Sequence, residues 1–262
     1  MYNFDFVKPT TVDEAVKALA DEDAQALGGG QTLIPTLKQR LASPSRLVSL
    51  TGIADMKGVT KSGDSVVIGG GTTHRVVAEE AAGAYPGLAA LAGGIGDPAV
   101  RNRGTIGGSL ANNDPSACYP AAALGSGATI VTNTREIAAD DYFQGMFTTA
   151  LEEGEIITEV RFPIPQASAY AKIAQPASRF PLVAVFVARY ADGVRVAVTG
   201  ASNNGVFRWS EAEAALAANF AADALDGLTL HSDDMISDLH GTAAYRAHLV
   251  GVMAKRAVAA AG

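Results

Sequence analysis

Leu27-Gly-Gly-Gly-Gln-Thr-Leu-Ile-Pro35 and Arg103-Gly-Thr-Ile-Gly-Gly-Ser109 are the stretches that decide the fold of this chain. The first follows a short apolar run, Gln25-Ala-Leu27. It precedes Leu33, Ile34, Leu37 and Leu41, whose spacing predicts a helix with Pro35 in its first turn. The pattern is strand, glycine turn, helix. Amides freed of side chains in such a turn can aim several N–H groups at one anion, the concave donor surface that a diphosphate needs. Tight turns alone also account for glycine. Two familiar nucleotide signatures are absent, since no Gly-Lys-Ser/Thr follows either loop and neither completes G-x-G-x-x-G with a downstream acid.

Outward from these loops, Thr11-Val-Asp-Glu14 has the form of a capping box, and Val12, Ala15, Val16 and Leu19 carry a helical stripe behind it. Leu47–Leu50 and Val66–Ile68 read as strands, the second running into Gly69-Gly-Gly71 before Thr72 opens a helix. Gly87–Ala92 reads as helix, Ala128–Val131 as strand, Tyr142–Phe147 as an aromatic loop and Ile156–Phe162 as strand. Pro163 and Pro165 mark a boundary. Beyond it, Leu182–Tyr190 and Val194–Thr199 are strands joined by Ala191-Asp192-Gly193, a hairpin signal. The helices Ser210–Asn219 and Thr242–Ala261 follow, the last with Tyr245, Leu249, Val252 and Met253 on one face. No internal repeat is evident.

Composition narrows the function. The 262 residues carry 27 acidic and 20 basic side chains, a net charge of −7, and 48% are apolar, which excludes a disordered chain. An acidic balance without a Lys/Arg cluster argues against nucleic acid as a partner. The single cysteine, Cys118, can form no internal disulfide, no CxxC zinc site and no four-thiolate cluster, so iron–sulfur chemistry must sit on another chain. Met1-Tyr-Asn-Phe-Asp-Phe6 lacks the basic and apolar regions of a secretory signal, and no run reaches the ~20 apolar residues of a membrane span. The expectation is a cytoplasmic protein with no membrane span.

Taken together, the motifs resemble the FAD-binding medium subunit of the molybdenum hydroxylase family, which includes the flavoprotein subunits of carbon monoxide dehydrogenase and xanthine dehydrogenase. The resemblance is carried by Phe4-x-x-x-x-Pro9-Thr10, Leu27–Pro35, Asp97-Pro-x-Val-Arg-Asn-Arg-Gly-Thr-Ile-Gly-Gly-Ser109 and Ala111-Asn-Asn-Asp-Pro115. It continues through Asp141-Tyr-Phe-x-Gly145, Glu155-Ile-Ile-x-Glu-Val-x-Phe-Pro163, Thr199-Gly-Ala201 and Tyr245-Arg-x-His-Leu249, and so covers essentially the whole chain.

The resemblance implies an α+β fold. A two-part FAD-binding domain of the vanillyl-alcohol-oxidase (PCMH) type would span residues 1–165, in subdomains of about 1–55 and 56–165. A smaller C-terminal domain of antiparallel strands and helices would span 166–262. By position, Gly28, Gly29, Gly30, Gln31 and Thr32, with Leu33 and Ile34 continuing the loop, and Thr105, Ile106, Gly107, Gly108 and Ser109 would hold the FAD diphosphate. Ile95 would pack beside the flavin and Ile157 along the adenine. Three positions depart from the family pattern. Gly28 takes the place of an alanine. Cys118 stands where an aspartate commonly accepts hydrogen bonds from a cofactor sugar, and a thiol is a poor acceptor. Gln175 takes the place of a lysine near the flavin, and the acids that follow it in NAD-reducing members are missing from Gln175–Leu182.

Other polar residues weigh less. His231, Asp233, Asp234, Asp238 and His240 lie close in sequence, but surface acids with flanking histidines are common and no metal site is expected. His74 after a glycine turn reads as a polar residue at a helix start that could titrate near neutrality. Arg101 and Arg103 border the second loop, where they would add charge to a phosphate site or an interface, or remain solvated. No catalytic acid or base stands out. The resemblance therefore implies an electron-transfer subunit whose FAD receives electrons from 2Fe-2S centres on a small partner, fed by a molybdopterin on a large one, in a dimer of heterotrimers. The alternatives are a freestanding FAD-dependent oxidase or reductase, and a nucleotide-binding module without redox work.

Overall fold

The computed structural model describes residues 1–261. The N-terminal region comprises β1 (Asp5–Val7), α1 (Val12–Leu19), β2 (Ala24–Leu27), α2 (Leu33–Lys38) and β3 (Arg46–Ser49), with the strands in a parallel sheet of order β1-β3-β2. The box at Thr11 starts α1 as its sequence predicts. Thr11 Oγ1 accepts the Glu14 amide, while the Glu14 carboxylate accepts the amide and hydroxyl of Thr10. Ala15 and Leu19 then turn into a small core with Val48, Ile53 and Met56.

The next region begins with the hairpin β4 (Val59–Ser62) and β5 (Ser65–Gly69) and passes into five helices, α3 (His74–Glu80), α4 (Pro86–Gly93), α5 (Pro98–Arg101), α6 (Ile106–Asn112) and α7 (Tyr119–Ser126). It continues through β6 (Thr129–Thr132), β7 (Glu136–Ala138), α8 (Ala139–Tyr142), the pair β8 (Phe143–Gly145) and β9 (Thr148–Thr149), and β10 (Ile157–Pro163). The sheet is antiparallel, in the order β4-β5-β10-β6-β7. Two expectations shift here. The helix starts at His74 rather than Thr72, because the Thr72 hydroxyl bonds Gly58 through both its amide and its carbonyl. Tyr142–Phe147 is no open loop: Tyr142 ends a helical turn fully buried, its hydroxyl donating to the Leu110 carbonyl.

The C-terminal region forms an antiparallel sheet from β11 (Ala167–Ala174), β12 (Pro181–Tyr190), β13 (Gly193–Thr199) and β14 (Phe207–Arg208), followed by α9 (Ser210–Ala218) and α10 (Ala243–Ala261). Alternation along β12 sends side chains to opposite faces. Val183, Val185 and Val187 pack with α9 and α10, whereas Phe186 and Ala188 join the core under α4 and α7. β10 ends at Pro163 and β11 begins at Ala167, as the prolines suggest, yet one core continues across them. On α10 the buried face is Arg246, Leu249, Val250, Met253 and Ala257, and Tyr245 is outside it. An alanine-rich helix shows little contrast between faces, and carbonyl acceptors for Arg246 fix its rotation.

Candidate cofactor-binding site

The first glycine loop and the turns at Gly70–Gly71 and Gly104–Ser109 wall a cavity of about 570 Å³. After β2, the carbonyls of Gly30 and Thr32 are taken up by α2, accepting the Ile34 amide and the Thr36 amide and hydroxyl. The amides of Gly29, Gly30, Gln31 and Thr32 donate to no acceptor among the described residues. Four neighbouring donors are thus left for a ligand. Glycine is required in two ways here. A Cβ on Gly29 would overlap the Arg103 carbonyl, so glycine lets the two loops touch, and Gly30 has a φ of +73°, the left-handed region that L side chains disfavour.

The second loop is built differently. Its Ile106 amide donates to the Thr72 carbonyl, Gly107 to Gly70 and Ser109 to Thr105, and Thr105 Oγ1 caps α6 by accepting the Gly108 amide at 3.2 Å. All four of these donors are therefore used, two on the neighbouring glycine turn and two on Thr105, and the loop offers the cavity hydroxyls and a flat glycine wall. The reading of two equivalent amide cradles gives way to one free cradle and one pinned wall.

Of the residues singled out from sequence, Gly28, Gly29, Gly30, Gln31, Thr32 and Leu33 line the cavity, with Thr105, Gly107, Gly108 and Ser109 opposite and Ile95, Cys118 and Ile157 completing the wall. Ile34, Ile106 and Gln175 are not on it. Ile106 is fully buried in the core, and Ile34 turns back against Gly30. Instead of a lysine at position 175, Lys172 extends from β11 towards the same end. Its ammonium donates to the Gly94 and Arg179 carbonyls at 2.7 and 2.9 Å, with Cys118 Sγ at 3.8 Å. Arg101 bonds the Ile95 and Gly96 carbonyls and Arg179 bonds that of Gly96, so three cations converge on the turn that carries Ile95. Burial pushes the Cys118 thiol up, leaving it protonated.

His74 also faces the cavity. Burial, helped by Arg101, lowers its pKa to about 4, so it is neutral at pH 7 and does not titrate there, and its Nδ1 has no partner among the described residues. Asp114, Glu155, Gly70, Gly71, Arg179 and Phe180 line the cavity too and were not singled out. Asp114 and Glu155 lie inside quoted motifs, but nothing in their spacing shows the direction of their side chains. The His231–His240 segment gathers no metal site: among the described residues no three His, Cys, Asp or Glu side chains cluster suitably, and Asp238 instead pairs with Arg246. No described helix is long and apolar enough to cross a membrane.

Free amides, two cap-side hydroxyls and glycine walls on facing sides suit a diphosphate, and the site is that of a nucleotide-cofactor protein. The family described as the FAD binding domain in molybdopterin dehydrogenase matches residues 2–165. The chain belongs to that family, and FAD is its cofactor. It is 35% identical to the carbon monoxide dehydrogenase medium chain of Afipia carboxidovorans, over 98% of this chain and 96% of that one. It is 34% identical, with the same coverage, to the nicotine 6-hydroxylase medium subunit of Paenarthrobacter nicotinovorans. Among solved structures, a chain of reconstituted CO dehydrogenase from Oligotropha carboxidovorans superposes with a TM-score of 0.90 at 33% identity, covering 99% of this chain and 98% of that one.

Proposed function

We propose that the chain is the FAD-binding, electron-transferring medium subunit of a molybdenum hydroxylase, accepting electrons from 2Fe-2S centres on a small partner and delivering them to an external acceptor. A large partner would carry molybdopterin, and the assembly would be a cytoplasmic dimer of heterotrimers. Residues 1–165 would form the FAD-binding domain and 166–262 the C-terminal domain. The observation that carries this reading is the cradle of four unpaired amides facing a glycine wall.

In this reading the amides of Gly29–Thr32 and the hydroxyls of Thr32, Thr105 and Ser109 bind the diphosphate. Ile157 lies along the adenine, and Ile95, its carbonyl bound by Arg101 and the preceding Gly94 carbonyl by Lys172, packs beside the flavin. When bound, FAD supplies the capacity to take up and release electrons one or two at a time. The chain's own residues orient it, exclude water and keep His74 neutral beside it. The freestanding oxidase or reductase is disfavoured because the relatives matched over 98% of this chain carry the names of medium chains or medium subunits of larger enzymes. The purified chain should be yellow and release FAD on denaturation. Release of FMN, or no flavin after reconstitution with FAD, would refute the assignment.

A further inference from the structure

We infer that Asp114 binds the cofactor, its carboxylate accepting hydrogen bonds from sugar hydroxyls of the dinucleotide and supplying the acceptor that Cys118 lacks. The inference rests on the cavity being the FAD site.

Asp114 stands on the cavity wall with Ala117 and Cys118. Its Oδ1 accepts the Ser116 amide at 2.8 Å, its Oδ2 has no donor, and no Lys, Arg or His pairs with it among the described residues. The turn that presents it is fixed on both sides. Before it, Asn113 ends α6 in the left-handed conformation, φ 42° and ψ 47°, a geometry open to asparagine at a helix end and constrained further here by its surroundings. That constraint is visible: Asn113 Nδ2 donates to the Gly145 and Thr148 carbonyls, both at 2.8 Å, and the Phe147 amide donates to the Asn113 carbonyl. After it, the Pro115 carbonyl accepts the Gly200 amide and the Thr199 hydroxyl, which also donates to Ala117. Both neighbouring sheets therefore hold one carboxylate against the cavity with an acceptor unused.

Burial raises the Asp114 carboxyl above its ordinary value. An unpaired, partly desolvated carboxylate disfavours the empty fold and is accounted for by ligand donors. Phosphate is excluded as its partner by like charge, whereas a vicinal diol offers two donors. The thiol at Cys118, buried and protonated, is a weak acceptor and cannot do this.

The test uses the full chain stripped of flavin, as wild type, Asp114→Asn and Gly108→Val. FAD affinity is read from flavin fluorescence and stability from the melting midpoint of the empty protein at pH 7. Asp114→Asn keeps the Ser116 bond and the shape but loses the second acceptor and the charge. It should weaken FAD binding at least tenfold while raising the melting midpoint of the empty chain. Titration with FMN and with ADP assigns the hydroxyls, since weakened FMN binding indicates the ribityl chain and weakened ADP binding the ribose. An Asp114→Asn protein that binds FAD within twofold of wild type, while Gly108→Val does not, would overturn the inference and leave the site standing. A lowered melting midpoint would make Asp114 a turn former and overturn it as well. Unchanged FAD affinity in both variants would remove the site and the inference with it.

Discussion

Gly30 and Gly108 are both glycines on the cavity wall, and they answer to different forces. At Gly30 the backbone demands a positive φ, and a Cβ would press on Ile34 at 2.8 Å. Gly30→Ala should therefore destabilise the empty chain by about 1–2 kcal/mol, readable by denaturant titration. Gly108 carries no such demand, and a Cβ there would meet only Thr105 Oγ1, at 3.0 Å. Gly108→Val should fold nearly as well as wild type, yet lose at least ~1.4 kcal/mol of FAD binding, a factor of ten, because the branch fills cofactor space. Glu155 answers to charge. Its side chain is 2% exposed, and hydrogen bonds from Arg135 chiefly, with the Glu152 amide and the Thr132 and Thr134 hydroxyls, hold its pKa down to about 2. A carboxyl depressed by folding adds stability that is complete above its unfolded pKa of about 4.5 and is lost as pH falls to about 2. Glu155→Gln should flatten that acid limb and cost roughly 2 kcal/mol at pH 7, and an unaltered acid-unfolding profile in the variant would contradict the assignment.

At the scale of elements, α10 is fastened by a buried cation. Arg246 donates through Nη1 to the Leu182 and Gly200 carbonyls at 2.7 and 2.8 Å and through Nη2 to both carboxylate oxygens of Asp238. Arg246→Met keeps the aliphatic stem but leaves two carbonyls and an acid unpaired, so chemical denaturation should show a loss of about 2–4 kcal/mol, with flavin binding retained. That anchor also explains what sequence conveys poorly. Strands β2, β5, β10, β12 and β13, the glycine turns and the cap at Thr11 were legible because branched apolar runs, glycine and capping residues each have a local cause. β11 was not, since Ala167-Ser-Ala-Tyr-Ala-Lys-Ile-Ala174 is made of small residues whose strand state comes from pairing with β12. α7 was not either: all eight of its residues are buried, so it has no polar face and no helical period to read. The same limit applies to the site. The glycine loops announce themselves, while Asp114, Gly70 and Lys172 reach the cavity region only through contacts between distant strands and turns.

At the scale of the whole molecule, the turns that follow β2 and β5, the start of β10 and the loop before β12 meet around one cavity, and one end of it is lined by Ile95, Arg179 and Phe180. Arg101, Lys172 and Arg179 all approach the Gly94–Gly96 carbonyls, and none of them forms an ion pair among the described residues. The Gln175–Leu182 segment that completes this end contains no acid. The oxidised nicotinamide ring is a cation although the diphosphate of NAD is anionic, and cations at the place the ring must occupy oppose its approach, by roughly 3 kcal/mol for a pair about 6 Å apart at an effective dielectric of about 20, before screening. A neutral quinone, dye or dioxygen feels no such repulsion, and an acceptor that gains negative charge on reduction is favoured by the same field. Hydride transfer to a nicotinamide also requires contact with the flavin edge in a fixed orientation, and repulsion depopulates that arrangement. With the flavin beside Ile95, the assembled enzyme should therefore pass electrons to quinones, dyes or oxygen much faster than to NAD. Stopped-flow mixing of the reduced complex with NAD measures this directly. Flavin reoxidation by NAD as fast as overall turnover would show that the cationic end does not govern acceptor choice, whereas slow reoxidation that quickens in Arg179→Gln would trace the selectivity to the field of that wall.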